Sequence, residues 1–532
     1  MNAHSFFEKG DGIMLFEKLR IISSEDSDRI AYRYVDQKVS YGELQKRIDA
    51  FSASLLQKGF KKGDHLAVIL ANSPEFIISV YGAMQIGVVV VPMNPIYTKD
   101  EMAYILRDSD AMGCVAYDQH APLFAAMDAK LPNMKHYFLL TTREEKADFP
   151  SIREKVTPYE PLIVHKTAFS IDDSITEEDV AVILYTSGTT GQPKGAMLTH
   201  RNIYSNARDI SDYLQIGHGD KFVCVLPMFH VFCFTIAVNT PLISGGTILI
   251  FGKFSPKEVI EVVKEEKATV FAGVPTMFSF LYQYPNSTPQ DLQSLKLCIS
   301  GGAALPVALL ENFEKKFNVE VYEGYGLSEA SPVCTFNPID RSRKPGSIGT
   351  QITNVECRIF DELGNALPPH EVGELVVKGP NVMKGYYKLE EETKQTIKDG
   401  WLYTGDVAYQ DEEGYFFIVD RKKDMIVVGG FNVYPREVEE VLYKHKSVVE
   451  AAVVGIPDLD YGEAIRAYVV PKEASLSKEE LIAYCKEHLA KYKIPHEIEF
   501  LKELPKNTTG KILRRSLKEE AMKQTRLSTS ES

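Results

Sequence analysis

Short apolar runs that end in small-residue turns recur along the chain and alternate with stretches of helical periodicity. These runs are Leu66–Leu70, Val88–Val91, Val270–Ala272 and Leu297–Ser300. A strand, a helix and a second strand in this order favour parallel pairing, because the helix carries the chain back to the same end of the sheet. The pattern predicts the α/β class, with a large N-terminal region of stacked sheets and helices plus a smaller β subdomain.

The pattern changes near residue 400. Strand-like segments flank a turn at Asp411–Gly414, and the charged segment Asp420–Asp424 follows. A helix from Pro435, two strand-like runs and a second helix from Ser477 then predict a small α+β domain. We expect a large domain over residues 1–420, a hinge over 421–425 and a small mobile domain over 426–532. A solvated run of charges is the alternative interpretation of the segment at 420–424.

Charge and cysteine content exclude several classes of protein. The 532 residues contain 60 Lys and Arg against 73 Asp and Glu, a net charge of −13, which disfavours binding to nucleic acid. The seven cysteines include no C-x-x-C pair, as expected for a reduced, cytoplasmic protein, and the N-terminus has no signal-peptide pattern. The uncharged stretch Val231–Gly252 is interrupted by Pro241 and Gly245, so we expect a buried helix, a turn and a strand rather than an integral membrane segment.

A loop rich in glycine and hydroxyl residues runs from Tyr185 to Gly195, directly after the apolar run Val182–Leu184. Its glycines allow backbone N–H groups to approach an anion, and Lys194 adds a positive charge. The loop lacks the Gly-Lys-Ser/Thr of a Walker motif. Its composition is typical of a phosphate site, with a flexible linker as the alternative.

Six segments, in this order, resemble motifs of the adenylate-forming superfamily, which includes acyl- and aryl-CoA synthetases, luciferases and adenylation domains of peptide synthetases. They are 185–195, Ser300–Ala304, Glu323–Glu329, Tyr403–Asp406, Asp420–Lys423 and Pro505–Lys511. The resemblance covers nearly the whole chain. Around Glu323–Pro332 it is closest to bacterial medium- to long-chain fatty acyl-CoA ligases. Ser328 stands where these relatives usually have Thr, and both residues supply a hydroxyl.

The resemblance implies an ATP-dependent fatty acyl-CoA ligase that uses Mg²⁺ and coenzyme A. Such an enzyme joins the fatty acid to AMP with release of pyrophosphate, and then transfers the acyl group to CoA. Residues 1–420 correspond to the AMP- and acyl-binding domain, and 426–532 to a mobile catalytic domain that turns about Lys423.

The same resemblance implies a set of nucleotide-binding residues. The phosphates are held by Ser187, Gly188, Thr189, Thr190, Gly191 and Lys194, and Mg²⁺ by Glu329 with Thr186. The nucleotide pocket contains Gly301, Gly302, Ala303, Glu323, Gly324, Tyr325, Gly326 and Ser328. We expect the Tyr325 ring to lie on adenine, because its two glycine neighbours have no side chain to obstruct it. A core tyrosine is the alternative.

Five further positions complete the implied nucleotide and thiol sites. Asp406 and Arg421 bind the ribose, and their alternatives are a turn cap and a surface ion pair. Gly429 and Gly430 lie close to the pantetheine arm of CoA, or else form an ordinary hairpin turn. Lys511 bridges the carboxylate and the α-phosphate, although a lysine in such a basic tail is usually only solvated.

His230 and the uncharged stretch Val231–Val238 indicate the acyl site. Amino-acid-activating relatives carry an aspartate here for the substrate ammonium, and its absence favours an aliphatic acid. His230 is expected beside the substrate carboxylate as a gate or hydrogen-bond donor, not a base, with a core histidine as the alternative. Each buried methylene contributes roughly 0.8 kcal/mol, so affinity should rise with chain length.

Other functions stay open at this stage. Within the superfamily the alternatives are an enzyme that loads a carrier-protein thiol and an aryl-CoA ligase. From another class, a nucleotide sensor that has lost catalysis is disfavoured by the intact set Lys194, Glu329, Asp406, Arg421 and Lys511. The expected partners are a fatty acid, ATP and CoA. Transient peripheral membrane contact, since fatty acids partition into bilayers, and a homodimer are both compatible with the sequence.

Overall fold

The computed structural model describes residues 12–142, 149–164, 170–186, 192–458, 461–473, 475–507 and 510–530. The strands are β1 Ile30–Tyr34, β2 Gln37–Ser40, β3 His65–Ile69, β4 Val89–Pro92, β5 Gly113–Tyr117, β6 His136–Leu140, β7 Val156–Pro158, β8 Val180–Thr186, β9 Lys194–Thr199, β10 Lys221–Cys224, β11 Thr247–Ile250, β12 Val270–Gly273, β13 Leu297–Ser300, β14 Val321–Gly326, β15 Val333–Phe336, β16 Thr350–Gln351, β17 Glu356–Phe360, β18 Gly373–Lys378, β19 Gly385–Tyr386, β20 Ile397–Lys398, β21 Trp401–Gln410, β22 Phe416–Arg421, β23 Ile426–Val428, β24 Phe431–Val433, β25 Val448–Asp458, β26 Gly462–Pro471 and β27 Glu497–Phe500.

The α-helices are α1 Leu15–Glu25, α2 Tyr41–Gln57, α3 Pro74–Met84, α4 Lys99–Asp108, α5 Ala121–Met127, α6 His200–Tyr213, α7 Val231–Cys233, α8 Thr240–Ser244, α9 Pro256–Glu266, α10 Pro275–Gln283, α11 Pro289–Leu292, α12 Val307–Phe317, α13 Glu390–Thr396, α14 Pro435–Tyr443, α15 Lys478–His488 and α16 Arg514–Ser530. A π-helix, Phe234–Asn239, joins α7 to α8, and a short 3-10 helix spans Ser328–Ala330.

Two large sheets form the N-terminal region. The strand order of the first is β16-β15-β14-β13-β12-β10-β11-β1-β2, and that of the second is β19-β9-β8-β4-β3-β5-β6-β7. Strands β3 and β4 pair in parallel, as do β12, β13 and β14. The predicted parallel arrangement is therefore confirmed.

One buried cluster fills the space between these two sheets. It includes side chains from α2, α3 and α6 as well as inward-facing residues of both sheets. Ten of the eleven residues of α3 are buried, which explains why this helix has no polar stripe in the sequence. The layers of this core fix the ends of the strands that carry the motifs.

The uncharged stretch Val231–Gly252 folds as predicted. It forms α7, the π-helix and α8, turns at Gly245 with φ of 72°, and continues into the buried strand β11. Within the described part of the chain, each helix is too short or too polar to cross a bilayer.

The smaller sheets lie in the second half of the chain. Strands β17, β18, β20, β21 and β22 form a β subdomain, and β23 to β27 form a separate sheet that shares its core with α14 and α15. The α/β class, with a large N-terminal region and a small α+β C-terminal domain, is confirmed. Lys422–Asp424 lie between the two sheets, but the boundaries at 420 and 426 and the mobility of the domain stay predictions.

Gly349 provides a test of packing beside the first sheet. Gly349 forms an isolated antiparallel β-bridge with Phe416, and its own φ is 82°. An added Cβ would lie 2.0 Å from the carbonyl carbon of Phe336. We expect Gly349→Ala to lower the free energy of unfolding by at least about 2 kcal/mol, because the backbone is both strained and blocked. Urea unfolding followed by circular dichroism measures this change.

Gly217→Ala is the matched control, because no heavy atom lies within 4 Å of a Cβ built there. It should leave the unfolding midpoint nearly unchanged. Equal unfolding free energies for the two variants would contradict the packing argument.

Candidate active site

A cavity of about 1080 Å³ lies at the carboxyl ends of the parallel strands β10, β12, β13 and β14. This is the usual position of a ligand site in an open α/β sheet. The cavity brings together a large part of the predicted set, namely Thr186, Lys194, His230, Gly301, Gly302, Gly324, Tyr325, Gly326, Ser328, Glu329, Asp406, Arg421, Lys423 and Lys511.

The other predicted residues are placed differently. Ala303 and Glu323 line an adjoining cavity of about 930 Å³, which shares Tyr325 with the first. Gly429 and Gly430, although described, are not among the lining residues of either cavity, and the Gly429 N–H donates to the Tyr461 carbonyl at 2.8 Å. The predicted phosphate-loop residues Ser187, Gly188, Thr189, Thr190 and Gly191 lie outside the described residues.

Strand pairing positions the phosphate side of the site. Thr186 ends β8 and Lys194 begins β9, and the two residues are direct partners in the antiparallel ladder. The Lys194 Nζ lies 5.5 Å from the centre of the Tyr386 ring, and the Tyr386 hydroxyl donates to Glu329 Oε1 at 2.9 Å. Tyr386 was not predicted, because no motif pattern surrounds it in the sequence.

Glu329 and Thr186 supply a carboxylate and a hydroxyl to the same cavity. Both are hard oxygen donors, the ligand type that Mg²⁺ prefers. Mg²⁺ usually keeps several waters and takes one or two carboxylates plus substrate phosphates. The residues present therefore fit a magnesium ion that arrives with a phosphate-bearing ligand.

Asp406 links three segments at the other end of the cavity. Its side chain accepts a hydrogen bond from the Tyr325 hydroxyl at 2.5 Å, and the Arg421 Nε lies 3.3 Å from its second oxygen. Asp406 and Arg421 face each other across β21 and β22, so register alone sets this pair. The Asp406 residue is only 6% exposed, which keeps the carboxylate in a fixed position.

The structure gives a packing reason for the glycines on either side of Tyr325, rather than the predicted need to leave the tyrosine ring unobstructed. Successive side chains of a strand point to opposite faces, so Gly324 and Gly326 face away from the tyrosine ring. A Cβ on Gly324 would lie 2.5 Å from Cδ2 of Phe336, and one on Gly326 would lie 2.1 Å from the Pro332 carbonyl oxygen. Close packing behind β14 requires these glycines.

Lys511 and His230 both line the cavity. Burial and, to a smaller extent, the nearby Arg421 lower the pKa of Lys511 to about 8, whereas Asp406 opposes the shift. Burial likewise lowers the pKa of His230 to about 4, with Lys511 adding to the effect. His230 Nδ1 accepts the Phe232 N–H at 3.4 Å, so the neutral ring carries its proton on Nε2 and can donate there.

Charged groups dock the C-terminal domain over the site. The Asp420 carboxylate accepts the Arg436 N–H at 3.0 Å, in the first turn of α14. The Arg436 guanidinium also donates to the carbonyl of Ile418 in β22 at 3.0 Å. Both contacts join the C-terminal domain to the larger region, and sequence analysis identified neither of them.

Glu323 is a buried carboxyl beside this junction. Its Oε1 accepts the Leu305 N–H at 3.2 Å, while Oε2 has no hydrogen-bond partner among the described residues. Burial raises the pKa of Glu323 to about 7, and Arg436 opposes the shift. Its side chain lines the adjoining cavity.

An apolar wall closes the remaining side of the main cavity. Its residues include Leu226, Val231, Phe232, Ile236, Ile299, Val333 and Phe336. A Cβ on Gly301 would lie 3.1 Å from Cζ of Phe232, so this glycine allows the ring to lie against the nucleotide motif. The wall can accommodate an alkyl or aryl group next to the polar end of the site.

Comparison with known proteins gives consistent matches. The family model described as AMP-binding enzyme matches residues 21–387, and the model for the AMP-binding enzyme C-terminal domain matches 437–511. A long-chain-fatty-acid–CoA ligase of Bacillus subtilis (strain 168) is 40% identical over 514 residues, which cover 93% of this chain and 92% of the relative. The enzyme of the same name from Salmonella typhimurium is 36% identical, covering 95% of this chain and 94% of the relative.

Among solved structures, ATP-bound MatB from Rhodopseudomonas palustris has a TM-score of 0.88 and 33% identity, covering 95% of this chain and 98% of the relative. The apo structure of the same protein has a TM-score of 0.78 at the same identity and coverage. The chain thus shares its fold with this solved protein over nearly its full length. Together with the family-model matches to both parts of the chain, this places the protein in the AMP-binding enzyme family.

Proposed function

We propose that this chain is an ATP-dependent fatty acyl-CoA ligase. The observation that carries the proposal is a single cavity in which Lys511, Glu329 and Asp406 meet an uncharged apolar wall. The names of the B. subtilis and S. typhimurium relatives support the same activity.

The groups that line one end of the cavity have the chemistry needed to bind a nucleotide. Asp406 offers two acceptor oxygens, which match a vicinal ribose diol, and Tyr325 is held beside it through its hydroxyl. Lys194 and the phosphate loop are assigned to the β- and γ-phosphates. Mg²⁺ bound at Glu329 and Thr186 supplies positive charge that offsets the charge of the phosphates.

The first half-reaction is attack of the substrate carboxylate on the α-phosphorus of ATP. A bond forms between a carboxylate oxygen and phosphorus, and the bond from phosphorus to pyrophosphate breaks. Negative charge accumulates at the α-phosphate, and the Lys511 ammonium is assigned to stabilise it. His230 donates from Nε2 to the substrate carboxylate and does not act as a base, because that carboxylate is already ionised.

The second half-reaction transfers the acyl group to CoA. The thiol loses its proton, its sulfur bonds to the acyl carbon, and the bond to AMP breaks. The higher TM-score to ATP-bound than to apo MatB supports the adenylate-forming arrangement for this structure. We assign the thioester step to a second arrangement, reached by rotation about Lys423, in which Gly429 and Gly430 approach the pantetheine arm.

The oligomeric state, membrane contact and cellular location of the protein are also proposals. A homodimer, a transient contact with membrane surfaces and a cytoplasmic location are compatible with the predicted activity. Gel filtration and flotation with phospholipid vesicles test the first two.

The apolar wall predicts a dependence on chain length. Each methylene that enters it should lower KM about fourfold, as expected from roughly 0.8 kcal/mol per methylene, until the pocket is filled. ATP- and CoA-dependent pyrophosphate release with saturated acids of increasing length measures this dependence. Faster turnover of aryl acids would favour an aryl-CoA ligase, and pyrophosphate release without acyl-CoA would favour a carrier-loading enzyme.

Substitution of Lys511 should separate the two half-reactions. Lys511→Ala removes the cation assigned to the α-phosphate, so acyl-adenylate formation should fall at least about a hundredfold. Thioester formation from preformed acyl-adenylate should stay largely intact. Lys502→Ala is the control, because Lys502 is exposed and lies outside both described cavities. Equal loss of both half-reactions would contradict the assignment.

The lowered pKa of Lys511 predicts a pH dependence. The ammonium form is populated below a pKa of about 8. The kcat/KM for ATP in adenylate formation should therefore be near its plateau at pH 7, fall to about half at pH 8, and fall about tenfold per pH unit well above pH 8. Lys511→Arg retains its charge, so its residual activity should not fall in this range. A wild-type profile that stays flat to pH 10 would contradict the role of the ammonium.

A further inference from the structure

Tyr386 lies between two groups that the proposed function assigns to the phosphate end of the site. The backbone around it is fixed on both sides. Lys384 and Tyr387 donate N–H bonds to Met197 and Gly195 of β9 at 2.9 and 2.8 Å. The Met383 N–H donates to the Glu329 carbonyl at 2.8 Å. The segment is thus attached both to the strand that begins at Lys194 and to Glu329 itself.

The side chain of Tyr386 contacts the same two residues. Its hydroxyl donates to Glu329 Oε1 at 2.9 Å, and its ring centre lies 5.5 Å from the Lys194 Nζ. A cation near an aromatic face is attracted by the ring quadrupole, and a hydrogen bond to a carboxylate is stronger than one between neutral groups. One side chain therefore restrains both an anion and a cation.

The segment also has local support from α13. The Tyr386 N–H donates to Thr393 Oγ1 at 2.9 Å, and a Cβ on Gly385 would lie 2.7 Å from Cγ2 of Thr393. Burial, followed by the charge of Glu329, raises the pKa of the Tyr386 hydroxyl well above its usual value. The neutral hydroxyl carries one proton, which it donates to Glu329.

We propose that Tyr386 is a positioning residue for Glu329 and Lys194. Its hydroxyl occupies one carboxylate oxygen of Glu329 and leaves the second oxygen for the Mg²⁺ that accompanies ATP, while its ring restrains the Lys194 ammonium. This inference rests on the proposed roles of Glu329 and Lys194. It deepens them by naming the group that orients both.

The alternative is a purely structural role, since the Tyr386 ring also packs against the large buried cluster. Tyr386→Phe separates the two roles, because it keeps the ring and removes only the hydroxyl. Tyr387→Phe is the matched control. The Tyr387 hydroxyl donates to Asp110 Oδ2 at 2.9 Å, and Tyr387 is not among the described lining residues of either cavity.

The experiment is calorimetric titration of each protein with ATP, without any acid, once in excess Mg²⁺ and once in EDTA. Adenylate cannot form without the acid, so the titration reports binding alone. The ratio of the two affinities gives the contribution of Mg²⁺. In Tyr386→Phe we expect this ratio to fall about tenfold, because the Glu329 carboxylate is no longer oriented, while affinity in EDTA stays close to wild type. Tyr387→Phe should retain the wild-type ratio.

Glu329→Gln distinguishes failure of this inference from failure of the proposed function. If Glu329→Gln loses the Mg²⁺ contribution and Tyr386→Phe retains it, Tyr386 does not position the carboxylate and the inference is wrong. An equal loss of affinity with and without Mg²⁺ in Tyr386→Phe would mean a structural role and would also overturn it. If Glu329→Gln retains the Mg²⁺ contribution, the metal assignment fails and the inference falls with it.

Tyr386→Leu tests the role of the ring. Loss of the aromatic face should weaken ATP binding in EDTA severalfold relative to Tyr386→Phe, because Lys194 loses its restraint. Equal affinities for these two variants in EDTA would remove Lys194 from the proposal.

Discussion

The rest of the site depends on the hydrogen bond and the ion pair that the Asp406 carboxylate makes. It accepts a hydrogen bond from the Tyr325 hydroxyl, near the end of strand β14 in the first sheet. It also pairs with Arg421 on the neighbouring strand β22 of the β subdomain. The chain then passes directly through Lys422–Asp424 into the C-terminal domain. A single buried anion thus connects the nucleotide motif, the β subdomain and the start of the interdomain turn, and its loss would leave a tyrosine and an arginine without their partner.

Because glycines have no side chain, the proposed nucleotide-binding end of the cavity packs closely against its apolar end. The small size of Gly301 allows the Phe232 ring to reach the strand end, and the close contacts behind Gly324 and Gly326 hold β14 against β15. The π-helix is tied to the same region, since the Thr235 hydroxyl donates to the Ser331 carbonyl at 2.7 Å. The shape of the acyl wall and that of the nucleotide pocket therefore cannot vary independently.

Much of the fold and many of the candidate residues could be predicted from sequence, because apolar runs, turns and motifs are local patterns. The parallel strands followed from such runs, and the shared cavity of Lys194, Glu329 and Lys511 followed from the family resemblance. Other features depend on distant parts of the chain and leave no local signal. The contact of Tyr386 with Glu329 joins residues 57 positions apart, and the contact of Tyr387 with Asp110 joins residues 277 positions apart. Likewise, glycine is required at position 326 because the fold brings the Pro332 carbonyl oxygen close to it.

The charges around Lys511 have a consequence for the proposed movement of the C-terminal domain. Arg421, Arg514 and Lys423 each disfavour its ammonium form, and only Asp406 among the named neighbours favours it. If the C-terminal domain moves as proposed, its closure over a cavity without nucleotide gathers like charges in a region of low dielectric constant, which raises the free energy of the closed state. ATP brings the opposing anions, so nucleotide binding and closure stabilise each other. In the proposed cycle, departure of pyrophosphate removes most of that anionic charge, and the remaining repulsion then favours reopening.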